Sequence, residues 1–406
     1  MASYPTLKNR SVTLAVTGGI AAYKSCELVR LLKKAGADVR VIMTEAAAHF
    51  VTPLTFEALS GHAVGIENLT RDMPHLAATH GACDLMIVAP ATADILGKAA
   101  HGIADNLVST AIIARAAPLA VCPAMNTRMW ENPAVQRSVK VLADDGVMIW
   151  GPQAGNLACG ETGAGRMMEP EDIVELAAAA LAPKTLTDKK AVVTAGPTEE
   201  PLDPVRVSTN RSSGLQGYAL ARSLMQAGCD TVLISGPTAL TAPAGVRVIS
   251  VKTADEMHTA ALKETQDADI FAGVAAVCDW KTAEVAPQKM KKTPGKESLT
   301  LTFVKNPDIL ADVKKARPTL FAVGFAAETE NLEANARTKC VTKGADLIVG
   351  NLAPAVFGKN ENTVIFVTKT GVTELPTMTK DETAQRITDF IAASLKDGKH
   401  ACSLQS

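Results

Sequence analysis

Short apolar runs alternate along the chain with stretches of helical period. Residues 12–16 (VTLAV), 39–43 (VRVIM), 85–89 (LMIVA), 119–122 (LAVC) and 147–150 (VMIW) are almost continuously apolar. That pattern belongs to strands of a parallel sheet covered on both faces. Residues 20–34 place Leu28, Leu31 and Leu32 on one helical face, and Gly36 ends the run. The rhythm restarts at Ala191. Strands are expected at 191–195, 231–235, 246–251, 270–274, 321–325, 347–350 and 363–367, with helices such as 218–227 and 381–395 between and after them. The fold class is therefore α/β with two doubly wound units. The expected boundaries are 1–183 for the first domain, 184–190 for a linker and 191–406 for the second domain. A flavodoxin-like parallel sheet is expected in the first, and a Rossmann-like sheet with a mixed edge in the second.

Each unit opens on a strand–turn–helix. In the first, Thr17-Gly18-Gly19 follows the strand. It lacks G-x-G-x-x-G and an acid placed for a ribose, so it is not the dinucleotide fingerprint. Its glycines still let backbone N–H groups approach an anion at a helix N-terminus, with an empty tight turn as the competing reading. Thr44 and Ala91-Thr92 end further strands on the same sheet edge, where parallel sheets bind ligands. Three later segments carry polar chemistry: Met73-Pro74-His75, Pro123-Ala124-Met125-Asn126, and the glycine-rich loop around Cys159. The plainer readings are a capping His, a turn Asn and a mobile loop.

In the second unit Ser212-Ser213-Gly214 precedes a helix and suits either an anion or a cap. Asp279 ends a strand, Lys289 opens a Lys-Met-Lys-Lys run, and Lys339 and Lys343 share one helical face. A turn Asp and a solvated charge run are the alternatives. The Walker A pattern is absent, which excludes a P-loop enzyme.

Composition narrows the function. A net charge of -1 gives no field for nucleic acid, and 4% aromatics give little to stack bases on. No apolar run reaches the length of a membrane span, and the N-terminus lacks a signal-peptide core. The eight cysteines form no C-x-x-C pair, so a reduced, cytoplasmic setting is expected.

The motifs TGGIAAYK, His75, PAMN-x-x-MW and ACG-x-x-G-x-GRM, in that order over 12–183, resemble the flavin-containing cysteine decarboxylases. More closely, they resemble the decarboxylase half of the bifunctional coenzyme A biosynthesis family, phosphopantothenoylcysteine decarboxylase/phosphopantothenate–cysteine ligase. The resemblance implies FMN on Gly18, Gly19, Ile20, Thr44, Ala91, Thr92, Ser109 and Thr110. It implies that flavin takes two electrons from the thiol-bearing carbon, so that a thioaldehyde can accept the pair released with carbon dioxide. The resulting enethiolate is then reduced and protonated. Asn126 would grip the carboxylate, His75 would support oxidation and decarboxylation, and Cys159 would donate the last proton. The segment between His75 and Asp84 is one residue longer than is usual in the family and carries a second imidazole, His80.

TAGPT-x-E-x-LDPVR, SSG, AAV-x-D, K-M-K-K, FVKNPDIL and GFAAET, over 191–396, resemble the ligase half of the same family. CTP and a divalent cation, usually magnesium, are implied. CTP would lie on Gly273, Val274, Ala275, Asp279, Lys289, Asn306, Pro307, Asp308, Ile309, Phe325, Lys339 and Lys343, with Asp279 also at the metal. Lys289 would serve acyl-cytidylate formation, and Asn210 its handling. The family's S-N-H-S-S-G-K-M-G reads here Thr209 to Gly217, with Arg211 and Leu215 in place of the His and Lys, and Gln216 in place of the Met. Expected partners are 4'-phosphopantothenate, L-cysteine and CTP. A homo-oligomer is implied, with a trimeric flavin half and a dimeric ligase half that together give a dodecamer. Two other readings stand beside this one: a flavin-binding regulatory subunit, and a decarboxylase whose ligase half is inactive.

Overall fold

The computed structural model describes residues 4–66, 83–156, 162–291, 297–352 and 361–396. His75, His80 and Cys159 lie outside the described residues. The chain divides into two compact units, one running to Ala182 and the other beginning at Pro183.

The first unit is built on strands β1 (Ser11–Val16), β2 (Asp38–Met43), β3 (Leu85–Ala91), β4 (Leu119–Pro123) and β5 (Met148–Ile149). All pair in parallel, in the spatial order β2-β1-β3-β4-β5. That is the flavodoxin-like winding, with its switch point between β1 and β3. Helix α1 (Ala22–Lys34) follows β1 and buries Leu28, Val29 and Leu32. One core, with Val12, Leu14, Val16 and Ile87, lies on one sheet face, and a second, with Ala15, Met86, Val88 and Val121, lies on the other. Two covered faces explain why these strands are apolar throughout.

Beyond β5 the glycine-rich stretch forms more than a loop. Strand β6 (Gln153–Asn156) pairs antiparallel with β7 (Thr162–Arg166), and residues 157–161 connect them. The sequence conceals β7 because its glycines carry no β-preferring side chain.

The second unit holds an eight-stranded sheet. Its strands are β8 (Lys190–Ala195), β9 (Asp230–Ser235), β10 (Arg247–Ser250), β11 (Ile270–Gly273), β12 (Phe321–Glu328), β13 (Leu347–Leu352), β14 (Val364–Val367) and β15 (Val372–Glu374). The spatial order is β10-β9-β8-β11-β12-β13-β14-β15. The first six are parallel, and β14 and β15 add an antiparallel edge. The mixed edge is as the sequence suggests, although β15, with three residues, falls below the reach of periodicity. The stretch read as a linker is packed onto this unit. Leu186 is 2% exposed, its N–H bonds the Ala227 carbonyl at 2.9 Å, and Lys190 already lies in β8. Among the described residues no helix is long and apolar enough to cross a membrane.

Candidate active sites

The first cleft opens at the carboxyl ends of β1 and β3. Thr17 ties the two ends together: its hydroxyl donates to the Pro90 carbonyl at 2.7 Å and accepts the Thr92 N–H at 3.2 Å. The Gly18-Gly19 turn follows, and a Cβ on Gly18 would stand 2.5 Å from Ala46 Cβ. Only glycine lets this turn lie so close to its neighbour. A cavity of about 390 Å³ results, lined by Gly18, Gly19, Ile20, Tyr23, Thr92, Asn126, Met129 and Arg166 among others.

Asn126 reaches this cleft from the end of β4. Its Oδ1 accepts the Met129 N–H at 2.8 Å and caps the short helix Thr127–Glu131. The turn reading of this Asn therefore holds, and the same residue lines the cleft. The cap occupies the amide oxygen and leaves the NH₂, a donor suited to a carboxylate. The hairpin strand β7 is seated against this loop. The Met125 N–H donates to the Gly165 carbonyl at 3.0 Å. Gly165 has φ +148°, and a Cβ there would overlap the Met125 carbonyl at 2.2 Å.

Not every predicted flavin residue lines the cleft. Ala91 and Ser109 are fully buried. The Ser109 hydroxyl accepts the Asp105 and Asn106 N–H groups, each at 3.0 Å, inside a capping box. Thr44 caps the helix Glu45–Ala48 through the Ala47 N–H at 3.2 Å, and neither it nor Thr110 is in the lining. Sequence reasoning assigned no role to two cations that do line it, Lys24 and Arg166. Both stand inside the quoted motifs TGGIAAYK and GRM, so the signal was present. The buried Lys24 ammonium bonds both oxygens of Glu169 at 3.0 Å, and Arg166 pairs with the same carboxylate.

The second cleft, about 680 Å³, lies at the carboxyl edge of β8, β11 and β12. It gathers Gly273, Ala275, Asp279, Asn306, Pro307, Asp308, Ile309, Phe325, Lys339 and Lys343 in one lining. The Thr194 hydroxyl, at the end of β8, accepts the N–H groups of Val274 and Ala275 at 3.2 and 3.3 Å. It thereby orients a backbone segment that sequence reasoning chose without finding its support. Val274 itself is outside the lining. Asn306 donates from Nδ2 to the Cys278 carbonyl at 2.8 Å and from its backbone to the Asp279 carbonyl at 2.9 Å. Its Oδ1 is buried and has no partner among the described residues, so it presents an unused acceptor at the cleft wall.

Helix α2 (Leu332–Lys343), between β12 and β13, carries two of the cleft lysines, Lys339 and Lys343, and they meet different partners. Lys339 Nζ donates to the Phe325 carbonyl at 2.6 Å, and burial pushes its pKa down. Lys343 is ion-paired with Asp308, which also caps the helix Ile309–Ala316. The cost expected of two like charges on one face is relieved by these separate partners.

Lys289 and Asn210 are not in the lining. Lys289 is exposed, and Asn210 Nδ2 donates to the Ala276 carbonyl at 3.0 Å, on the segment between Val274 and Asp279. Among the described residues no group of three or more His, Cys, Asp or Glu is gathered as a metal cage. A single Asp279 suits a magnesium ion held mainly by phosphates and water.

These two clefts, each at the carboxyl edge of a doubly wound sheet, define a two-part α/β protein with a flavodoxin-like unit followed by a Rossmann-like unit. Residues 1–182 match the Flavoprotein family and residues 186–395 match the DNA/pantothenate metabolism flavoprotein C-terminal domain. The chain is 44% identical over 396 residues to the coenzyme A biosynthesis bifunctional protein CoaBC of Vibrio cholerae, covering 95% of this chain and 98% of that one. It is 48% identical over 356 residues to CoaBC of Escherichia coli, covering 85% and 87% respectively. The crystal structure of the C-terminal domain of a CoaBC protein covers 53% of this chain and 99% of that one, with 35% identity and a TM-score of 0.46. The chain belongs to the bifunctional coenzyme A biosynthesis family, enzymes with a phosphopantothenoylcysteine decarboxylase half and a phosphopantothenate–cysteine ligase half.

Proposed function

We propose that the second unit joins 4'-phosphopantothenate to L-cysteine at the expense of CTP, and that the first unit decarboxylates the product to 4'-phosphopantetheine with FMN. The observation that carries this reading is the convergence in one cleft of the carboxyl-edge residues Gly273, Ala275 and Asp279, the segment from Asn306 to Ile309, and Lys339 and Lys343 of α2. In the ligase step the phosphopantothenate carboxylate attacks the α-phosphorus of CTP and expels pyrophosphate. Lys289, Lys339 and Lys343 offset the charge that grows on the leaving group, and Asp279 would hold a magnesium ion that would add to this charge compensation. The cysteine amine then attacks the acyl-cytidylate, CMP leaves, and Asn210 handles this intermediate. Arg211 supplies a positive charge close to where the family carries Lys, the position of Leu215 here.

In the decarboxylase half Gly18, Gly19, Ile20 and Thr92 hold FMN, with Thr44 and Ala91 at the same sheet edge and Ser109 and Thr110 beyond it. The open glycine turn between two strand ends fits a phosphate and a flat ring. Bound FMN supplies the two-electron sink that an amidated cysteine otherwise lacks. Asn126 orients the substrate carboxylate through its free NH₂, His75 assists proton movement at the reacting carbon, and Cys159 returns the final proton.

Ile20 and Tyr23 at the cleft rim are 63% and 61% exposed, which favours a second copy covering the flavin edge. The expected assembly is a homo-oligomer, with the family resemblance implying a trimeric first half and a dimeric second half. The purified protein, given phosphopantothenate, CTP, magnesium and cysteine, should release pyrophosphate, CMP and carbon dioxide and form 4'-phosphopantetheine. A yellow protein without turnover would instead mark a regulatory flavoprotein, and decarboxylation of supplied phosphopantothenoylcysteine without CMP release would mark a silent ligase half.

A further inference from the structure

The motif Leu202-Asp203-Pro204-Val205-Arg206 has no assigned role, yet it carries a carboxylate whose side chain is 0% exposed. A buried carboxylate needs partners for its charge. Asp203 Oδ1 accepts the N–H groups of Val205 and Arg206 at 2.8 and 2.9 Å. Its Oδ2 accepts Arg206 Nε at 2.9 Å and the Met290 N–H at 3.1 Å. Arg206 in turn donates to the Met290 carbonyl. Burial works against the charge of Asp203, but these backbone N–H groups and the Arg206 guanidinium hold its carboxyl far below the usual range.

The Met290 N–H belongs to the peptide unit that carries the Lys289 carbonyl. That unit is planar, so fixing its N–H fixes the plane leaving the Lys289 Cα. The next carbonyl is held by Arg206. Farther along the same loop, the Ala286 N–H bonds the Leu202 carbonyl at 3.1 Å and the Thr282 hydroxyl bonds the Pro201 carbonyl at 3.0 Å. The turn from Pro201 to Arg206 therefore grips the loop at several points, and the charged grip falls beside Lys289.

We propose that Asp203 is a positioning residue for Lys289, holding the Lys289–Met290 peptide so that the exposed ammonium is presented to the nucleotide rather than roaming on a free loop. This rests on the reading that Lys289 serves acyl-cytidylate formation. A lysine on a long stem gains little as a charge stabiliser unless its root is fixed. Asp203→Asn keeps one acceptor for the turn, but its amide NH₂ cannot accept from Met290.

The test uses the full chain. Pyrophosphate release at saturating CTP is measured for the wild type, Asp203→Asn, Lys289→Gln and the double variant, and amide hydrogen exchange is followed over 287–291. Asp203→Asn should slow pyrophosphate release on the order of tenfold. It should remove protection of the Met290 amide, and leave decarboxylation of supplied phosphopantothenoylcysteine unchanged. In the Lys289→Gln background the same substitution should change the residual rate less than about twofold, because a residue acting through Lys289 has nothing left to act on. Equal penalties in both backgrounds, or an undiminished rate in Asp203→Asn while Lys289→Gln is slow, overturn the clamp alone. A normal rate in Lys289→Gln overturns the Lys289 assignment and the clamp with it. Should Asp203→Asn lose protection throughout the second unit, Met290→Pro deletes the gripped N–H and leaves Asp203 and its turn unchanged. The same slowing is expected there, and a normal rate overturns the proposal.

Discussion

The Lys24 ammonium donates to both carboxylate oxygens of Glu169, each at 3.0 Å, and to the Met167 carbonyl at 3.4 Å. Lys24 stands one turn after the Gly18-Gly19 loop, and Glu169 follows the hairpin strand β7. The ion pair therefore joins the helix that follows the glycine turn of the first cleft to the base of its hairpin. With side-chain exposures of 10% and 35%, the lysine is the more deeply enclosed partner.

Glu169→Gln leaves that enclosed ammonium without its counter-charge. Breaking a fully buried pair costs several kcal/mol, and the partial exposure of Glu169 reduces this to about 2 kcal/mol. Chemical denaturation followed by a probe in the first unit should show the loss. Adding Lys24→Met should recover part of it, since two neutral groups no longer strand a charge. A double variant no more stable than Glu169→Gln would mean that the ammonium finds another counter-charge.

Gly165→Ala tests the seating of the hairpin. The new methyl overlaps the Met125 carbonyl, one residue from Asn126. The hairpin or the Asn126 loop must shift, and a displacement of about 1 Å at a positioning group costs up to about 100-fold in rate. Decarboxylation of supplied phosphopantothenoylcysteine should fall 10- to 100-fold by this estimate, with CMP release intact. Wild-type decarboxylation would show that the hairpin is not seated this way during turnover.

The strands and the sheet edge were legible because buried parallel strands must be apolar on both faces, and because ligands gather where such strands end. Residues 12–16 and 191–195 fell within one residue of β1 and β8 for that reason. Ten of the twelve residues expected around a nucleotide share the lining of the second cleft, whereas Thr194, Phe271 and Lys305 in that lining had no expected role. What escaped notice were the groups acting at right angles to the sequence. Thr194 orients Val274 and Ala275 from another strand, and Asp203 grips Met290 across 87 residues. Ser109 shows the converse. The resemblance implies that it meets the flavin, and in the structure its hydroxyl accepts two N–H groups of a helix cap, neighbours that the linear chain does not reveal.

With Cys159 as the proposed proton donor, Cys159→Ser should separate the last proton transfer from the earlier steps. A serine hydroxyl has a far higher pKa than a thiol and is the poorer acid. Carbon dioxide should still be released, while the unreduced enethiol product accumulates and is detected by mass spectrometry. A normal yield of 4'-phosphopantetheine would take Cys159 out of that step.

Lys339 offers a pH test with a definite sign. Burial disfavours its ammonium and lowers the pKa from the ordinary 10.5, with Glu328 and Asp279 acting in the opposite direction. The unfolded chain keeps this proton up to about 10.5, and the folded one releases it earlier. Between those two values the unfolded state binds more protons, so through this group the stability of the second unit rises with pH. The proposed CTP affinity should run the other way. A triphosphate favours the ammonium, so binding draws a proton in and weakens as pH climbs through the lowered pKa. Calorimetry at alkaline pH in two buffers of different ionisation enthalpy should register that proton uptake. Lys339→Arg, charged throughout, should show none and should keep its affinity across the same range. If the wild type takes up no proton and its affinity tracks that of the arginine variant, the Lys339 ammonium does not meet the triphosphate.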